Sequence, residues 1–238
     1  MKAAVQAATD GRGQAGFEVA GEHAVCDPAG GLYFPALGLL VVSDLHLEKG
    51  SSLARRGMML PPYDTAATLT RLGAVIARQR PRIVVSLGDS FHDGGGSDRL
   101  PSIFRETLVG MMAGRDWFWV CGNHDPDAPR GLGGDSVKEI AISSLVLRHE
   151  PSQEPIAGEI AGHLHPGARI VQRGRSLRRR CFATDGLRLV MPAFGAFTGS
   201  LNVLDRAFAG LFRHDRLTAH MLGEARTYAV PGSRLKPG

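Results

Sequence analysis

Side chains able to bind metal ions recur in five short segments of the sequence. The candidate ligands in these segments are Asp44, His46, Asp89, Asn123, His149, His163 and His165. Carboxylate, amide and imidazole groups together suit a divalent ion such as manganese, iron or zinc. The set contains no thiolate, which argues against a structural zinc site. The chemistry that such a set favours is metal-assisted hydrolysis, in which bound ions make hydroxide available near neutral pH.

Each segment has a plainer interpretation when it is taken alone. Asp44 and His46 are two polar residues after an apolar run, which is a common arrangement. His163 and His165 alternate along the chain and would point the same way on a strand, but a solvated face has the same pattern. An isolated histidine such as His149 is more often a packed or surface residue. The occurrence of all five segments in order, each at a predicted strand end, favours a metal centre.

The elements that must position these residues are predicted from apolar patterning. Runs 39–42, 83–87 and 117–120 are typical of buried strands, and each is followed by polar residues. Apolar stripes predict helices over 63–79 and 98–113 between these strands. Such alternation indicates parallel strands with right-handed crossovers, whose functional residues collect at the carboxyl ends of the strands.

The second half of the chain changes character. It contains short strand candidates with turn residues between them, at 145–147, 156–161, 168–172 and 187–191. A weak helical pattern returns near 203–213. We therefore expect a second sheet packed on the first. The predicted fold class is an α/β sandwich of two mixed β-sheets flanked by helices. A single domain is expected over 17–230, with flexible tails at 1–16 and 231–238.

The length, composition and charge of the chain limit the class of protein to which it can belong. The 238 residues are 43% hydrophobic and 21% charged, which is ordinary for a globular domain. No apolar run reaches the roughly 18–20 residues that span a bilayer, and residues 1–16 lack the apolar core of a signal peptide. A cytoplasmic protein without a membrane partner is expected. The three cysteines are too few and too widely spaced for a disulfide framework. The net charge of +5 weakly favours polyanionic partners.

The motifs resemble a known superfamily. The order Asp-x-His, Gly-Asp, Gly-Asn-His-Asp, His and Gly-His-x-His is similar to that of the calcineurin-like metallophosphoesterases. Longer runs narrow the resemblance, at 44–52, 55–57, 60–65, 87–93, 158–166 and 191–199. With these runs, the chain over about residues 17–228 resembles the bacterial ligase-associated DNA damage response endonucleases, often called PdeM.

The resemblance implies a role for each matching residue. Asp44, His46 and His165 would bind one metal ion. Asn123, His149 and His163 would bind the other, and Asp89 would bridge the two. His124 would contact the phosphate or protonate the leaving oxygen, and Asp125 would orient or tune His124.

The resemblance also implies an activity. Two divalent ions, with Mn²⁺ expected and Fe or Zn possible, would activate a hydroxide that attacks phosphorus in DNA. The expected function is a DNA repair endonuclease whose substrate is single-stranded DNA. Its functional associates would be a repair helicase, an exonuclease and a DNA ligase.

The sequence offers some support for DNA as the substrate. Arg55 and Arg56, with Lys49, follow the first motif closely, and His92 lies three residues after Asp89. Arg178 and Arg179 belong to an arginine-rich run at 173–180, which either contacts DNA or forms a solvated hairpin. Phe91 is either packed in the core or in contact with substrate. Phe194 and Phe197 either line the site or pack beneath it.

Two rival interpretations remain. A metallophosphoesterase acting on a small phosphodiester or phosphomonoester, such as a cyclic nucleotide, would have the same metal ligands. A broad basic groove would favour DNA over such a substrate. A non-catalytic binding module with the same fold is disfavoured, because the set of ligands is complete.

Overall fold

The computed structural model describes residues 16–58, 63–213 and 215–238. Apart from Gly16, the expected N-terminal tail at 1–16 lies outside the described residues. Part of the run at 60–65, at positions 60–62, also lies outside them. Among the described residues, no helix is both long and apolar enough to cross a membrane.

The first sheet is mixed, and seven of its strands lie in the described residues. In spatial and chain order these are β1 (Gly16–Val19), β2 (Glu22–Cys26), β3 (Leu32–Phe34), β4 (Leu39–Val42), β5 (Ile83–Leu87), β6 (Asp116–Val120) and β7 (Asp135–Val137). Strands β1 to β4 pair in antiparallel fashion, whereas β4 to β7 are parallel. The three strands predicted from apolar runs, β4, β5 and β6, therefore belong to the parallel half of this sheet.

The second sheet is also mixed, with nine strands in the described part of the chain. They are β8 (Glu139–Ile142), β9 (Leu145–Arg148), β10 (Glu159–Ala161), β11 (Pro166–Gln172), β12 (Arg175–Thr184), β13 (Leu189–Val190), β14 (Leu201–Asn202), β15 (Thr218–Leu222) and β16 (Thr227–Pro231). The order is β14-β11-β12-β13-β10-β9-β8, and β15 joins β12 to β16. Strands β9, β10 and β13 are parallel, and the other pairs are antiparallel except β11 with β14.

Strand periodicity divides the core into layers. Successive side chains of a strand point to opposite faces. Leu39 and Val41 therefore pack between the two sheets, while Leu40 and Val42 pack under the helices. All four side chains are fully buried, which explains why β4 is continuously apolar rather than alternating. The predicted α/β sandwich of two mixed sheets is confirmed.

Four helices are described: α1 (Lys49–Ala54), α2 (Asp64–Gln79), α3 (Gly96–Arg99) and α4 (Ser102–Met112). The helix predicted over 63–79 is α2, which ends where Arg80 adopts a left-handed conformation. The helix predicted over 98–113 is divided in two. Leu100 is extended before Pro101, because a residue preceding proline is disfavoured in the helical region.

One expectation for the C-terminal part is wrong. The helical pattern near 203–213 yields only a 3₁₀ turn at Arg206–Phe208, which Asp205 caps and a left-handed Gly210 follows. The apolar spacing there serves to cover the outer face of the second sheet. The segment expected as a tail at 231–238 also packs on that sheet. Leu235 is buried there, and the Lys236 amide donates to the Arg169 carbonyl at 2.8 Å.

Candidate metal centre

The predicted ligands meet where the carboxyl ends of strands from both sheets face each other. Asp44, Asp89 and Asn123 follow β4, β5 and β6 of the first sheet. On the second sheet, His149 follows β9, and His163 and His165 follow β10. The seven side chains form two neighbouring groups, which we call the first and the second ligand cluster.

The first ligand cluster consists of Asp44, His46 and His165, whose potential ligand atoms all lie within 4.8 Å of one another. His165 Nε2 is 3.1 Å from Asp44 Oδ1 and 3.4 Å from His46 Nε2. Asp44 is completely buried, and apart from His165 Nε2 at 3.1 Å, itself a candidate ligand, Asp44 Oδ1 has no donor among the described residues. A buried carboxylate oxygen without a donor is costly unless a cation satisfies it.

The second ligand cluster consists of Asp89, Asn123, His149 and His163. Asn123 Oδ1 lies 2.9 Å from His149 Nε2 and 3.0 Å from His163 Nδ1. Those two nitrogens are 3.3 Å apart, and Asp89 Oδ1 is 3.5 Å from His149 Nε2. Four groups that carry lone pairs thus converge on one point, which fits a divalent cation with mixed oxygen and nitrogen ligands.

Neighbouring groups fix the orientation of these ligands. His149 Nδ1 lies 2.8 Å from the Leu87 carbonyl, which can only accept, so Nδ1 carries the proton and Nε2 is left with its lone pair. Ser43 Oγ donates to Asp44 Oδ2 at 2.5 Å, and the His163 amide donates to the same oxygen at 3.1 Å. The second contact ties a ligand of one cluster to a ligand of the other.

Electrostatics leave the first cluster in a state that can bind metal. Burial lowers the pKa of His46 to about 3, so its imidazole stays neutral near pH 7. Burial alone would raise the pKa of Asp44, but His165 and Ser43 outweigh that effect and the pKa is lowered. A neutral imidazole and an ionised carboxylate are the forms that coordinate cations.

The backbone at the ligands is unusual. Five ligands have positive φ: Asp44 at 53°, His46 at 45°, Asp89 at 46°, His163 at 66° and His165 at 46°. Residues with a Cβ pay roughly 1–2 kcal/mol for a left-handed conformation, and such strain clusters at functional sites. The surrounding sheets must supply the stability that holds these turns.

Glycines beside the ligands permit close packing. A Cβ at Gly162 would lie 1.9 Å from Ser43 Oγ and 2.7 Å from Asp44 Oδ2. A Cβ at Gly88 would lie 2.4 Å from His149 Nδ1. Two of the glycines in the sequence motifs are thus required by space at the site. The donor set, the orphaned oxygen and this packing together fit two divalent ions.

His124 lies at the open side of the clusters, with 42% of its side chain exposed. Its Nε2 is 3.9 Å from Asp89 Oδ2, and its ring stacks on His92 with centroids 5.4 Å apart. The predicted role of Asp125, to orient or tune His124, stays a prediction. Asp125 is buried and accepts from the Phe91 amide at 3.0 Å, whereas His124 Nδ1 lies 3.0 Å from the carbonyl of His92. Burial raises the pKa of Asp125 to about 7. His92, through its ring and carbonyl, thus orients His124 directly, a backbone contact that residue types could not reveal.

The predicted substrate-binding residues lie around this opening. Arg55 and Arg56 are exposed just after α1. Burial lowers the pKa of His92, and the positive charges of Lys49 and, to a smaller extent, Arg56 lower it further. Arg178 and Arg179 are exposed on the hairpin of β11 and β12, where Arg178 pairs with Arg169. At about 3.3 Å per residue, four residues along β11 place that pair roughly 13 Å from His165.

The aromatic residues divide into two groups. Phe91 and Phe194 are fully buried and belong to the core between the first sheet and the helices. Phe197 has 49% of its surface exposed. Core packing is therefore correct for Phe91 and Phe194, while Phe197 remains available at the surface.

A family model for calcineurin-like phosphoesterases matches residues 37–179. The chain is 28% identical over 160 residues to the 3′,5′-cyclic adenosine monophosphate phosphodiesterase CpdA of Pseudomonas aeruginosa. That match covers 66% of the chain and 53% of the relative, so the chain spans about half of that protein's length. The crystal structure of the Pseudomonas putida nuclease MPE is similar with a TM-score of 0.71 at 26% identity, covering 91% of this chain and all of that one. The chain therefore belongs to the calcineurin-like phosphoesterases, a family of hydrolases that use divalent metal ions.

Proposed function

We propose that this protein is a dinuclear metal-dependent endonuclease that cleaves phosphodiester bonds of single-stranded DNA. The observation that carries the proposal is the pair of adjacent ligand clusters, opening beside His124 onto a surface that carries cations on more than one side. The likeness to a nuclease over nearly the whole chain supports the choice of DNA. Within the proposal, Mn²⁺ is the preferred ion, with Fe or Zn as alternatives, and the enzyme acts in the cytoplasm in DNA repair with a helicase, an exonuclease and a ligase.

The protein's own residues have distinct roles in this reaction. The first cluster would hold one ion, and Asn123, His149 and His163 would hold the other, with Asp89 between them. When bound, two ions lower the pKa of water and withdraw charge from the phosphate. His124 Nδ1 is committed to the His92 carbonyl, so a protonated ring presents Nε2–H toward the leaving oxygen. Asp125 supports this region by binding the Phe91 amide rather than by touching His124.

A second candidate function is hydrolysis of a small phosphodiester such as a cyclic nucleotide. The resemblance to a cyclic nucleotide phosphodiesterase favours it. The ligand clusters do not discriminate between the two substrates, because they recognise only the phosphoester. The cations outside the clusters do discriminate, since a substrate with one phosphate cannot engage cations on more than one side of the opening.

The metal mechanism is tested with bis-p-nitrophenyl phosphate, a diester without a base. We expect hydrolysis that depends on Mn²⁺ and falls at least about 10²-fold in an Asp89→Asn variant, because a neutral amide cannot offset two cations. Asp98→Asn is the matched control, since that carboxylate is half-exposed in α3 and pairs only with Arg130 among the described residues. Full activity of Asp89→Asn would refute the two-metal site.

The substrate class is tested with circular single-stranded DNA. A circle has no ends, so conversion to linear product requires an internal cut. Purified protein with Mn²⁺ is expected to linearise the circle, and the Asp89→Asn variant is not. Robust hydrolysis of the small diester and of cyclic nucleotides, with an intact circle, would replace the endonuclease with the second candidate.

A further inference from the structure

The segment 195–200, which we call the 195–200 loop, is attached at both ends to the first ligand cluster. At its start, the Gly195 amide donates to the Asp44 carbonyl at 3.1 Å. Immediately after its end, the Leu201 amide donates to the His165 carbonyl at 2.9 Å. Two residues span at most about 7.6 Å between Cα atoms, so Phe197 is held near the metal centre.

The 195–200 loop is braced internally and yet presents an aromatic ring. The Ala196 amide donates to Thr68 Oγ1 at 3.0 Å, and Thr198 Oγ1 donates to the Gly195 carbonyl at 2.9 Å. Phe197, between these two anchors, is about half exposed. A single exposed phenylalanine is ordinary on a protein surface. A ring held on a braced loop beside a metal centre is instead a preorganised contact surface.

Two cations bond to the backbone of the 195–200 loop. Lys49 Nζ donates to the Phe197 carbonyl at 2.8 Å, and the Arg178 guanidinium donates to the Ser200 carbonyl. A carbonyl is neutral, so these bonds position the two charges without cancelling them. Arg55 and Arg56 add exposed positive charge shortly after Lys49 in the chain, while the Arg179 guanidinium donates to the Arg178 carbonyl at 3.1 Å.

We propose that the 195–200 loop is a strand-binding subsite in which Phe197 stacks on a base of single-stranded DNA next to the scissile phosphate. Lys49 and Arg178 then contact the phosphates on either side of that base. Proteins that bind single strands without sequence preference combine cationic tracks with aromatic stacking platforms in this way. The inference rests on the proposed endonuclease function and adds the residue that positions the DNA strand relative to the metal centre.

The test compares Phe197→Leu, Phe197→Trp and Tyr228→Leu in cleavage of a single-stranded oligonucleotide. Tyr228 is the matched control because it is 50% exposed on β16 and its ring also lies beside an arginine, 4.8 Å from the guanidinium carbon of Arg226. Loss of one stacked base corresponds to roughly a tenfold rise in KM for Phe197→Leu, with kcat changed less than about twofold. Phe197→Trp should restore KM, and Tyr228→Leu should match the wild type.

Each outcome separates this inference from the proposed function. If the wild-type protein cuts the oligonucleotide and Phe197→Leu has an unchanged KM, the stacking role is refuted and the endonuclease stands. Equal defects in Phe197→Leu and Tyr228→Leu would also refute it, because the effect would not be specific to the loop. A wild-type protein that leaves the strand intact removes both proposals. In Phe197→Trp, base stacking should quench the introduced indole when DNA is added, and unquenched fluorescence would count against stacking.

Discussion

Replacing Gly162 with alanine should damage the metal centre through steric contact alone. Gly162 is not among the residues with positive φ, so alanine is compatible with its backbone. The added Cβ, however, would lie 1.9 Å from Ser43 Oγ and 2.7 Å from Asp44 Oδ2. Non-bonded heavy atoms rest at about 3.5–4.0 Å, so Ser43 Oγ must move by roughly 1.5 Å.

Ser43 Oγ has no free space into which it can move. Ser43 and Asp44 are both fully buried, and Ser43 Oγ is the donor that holds Asp44 Oδ2. Overpacking in such a site costs about 1–3 kcal/mol of stability. A shift of about 1 Å in a reacting group can cost on the order of 10²-fold in rate. Gly162→Ala should therefore fold less stably and lose roughly two orders of magnitude in Mn²⁺-dependent hydrolysis.

The assay pairs urea denaturation with hydrolysis of bis-p-nitrophenyl phosphate. Gly110→Ala is the control, because Gly110 is exposed in α4 and its Cβ would meet nothing within 4 Å. That control should gain up to about 1 kcal/mol from helix propensity and keep its activity. Adding Ser43→Ala to Gly162→Ala removes the closest clash, so part of the stability should return. Gly162→Ala with wild-type activity and stability would refute the packing argument.

Further predictions concern other parts of the molecule. Burial lowers the pKa of His220, which stacks on Phe17, from 6.5 to about 4. Between these pH values the unfolded protein binds a proton at His220 that the folded protein does not, so up to about 3 kcal/mol of stability is lost as pH falls from 6.5 to 4. A His220→Phe variant should therefore show a urea midpoint that changes less with pH over that range. Arg188→Met should cost about 3–5 kcal/mol in urea denaturation, because the buried Glu159 carboxylate loses its buried guanidinium partner and is left with the longer contact to Arg148 at 3.6 Å, whereas Arg130→Met at an exposed pair should change stability by less than about 1 kcal/mol. His165→Asn should raise the free energy of unfolding of the metal-free protein by about 1 kcal/mol, because asparagine tolerates the left-handed backbone better than histidine. Calorimetry should show weaker Mn²⁺ binding by the same variant. A metal-free variant less stable than the wild type would contradict the strain argument. Neutralising Arg178 and Arg179 together should reduce the slope of log affinity for single-stranded DNA against log salt by about 1–2, and the paired change at exposed Arg206 and Arg216 should leave the slope unchanged.

The parts of the fold that the sequence predicts are those with strong local patterns. Strands β4, β5 and β6 are largely buried on both faces, so their apolar runs are nearly continuous and easy to recognise. Strand β12 was missed as a strand because five exposed residues, including Arg178 and Arg179, precede its buried end at Cys181. The apolar spacing at 203–213 imitates a helix, but tertiary contacts with the second sheet determine its structure.

Some features of the site can likewise be predicted from residue types, whereas others depend on the three-dimensional geometry. The identity and order of the candidate ligands follow from motifs at strand ends, and the structure brings all seven together. Their left-handed backbones, the Leu87 carbonyl that orients His149 and the space required at Gly162 depend on contacts between distant segments. The bond that Asp125 accepts from the Phe91 amide likewise depends on the fold, because the two residues are 34 positions apart.

Substrate choice must come from outside the ligand clusters, since any phosphodiester satisfies them equally. A cyclic nucleotide offers one phosphate, and only a cation close to that phosphate gains from it. A single strand offers a series of phosphates, so Arg55 and Arg56 on one side and Arg178 and Arg179 on the other can each contribute about one released counterion. The 195–200 loop joins the two cationic segments, because Lys49 of α1 donates to the Phe197 carbonyl and Arg178 of β12 donates to the Ser200 carbonyl. A polymer can therefore use the cations spaced around the metal centre, whereas a small diester cannot.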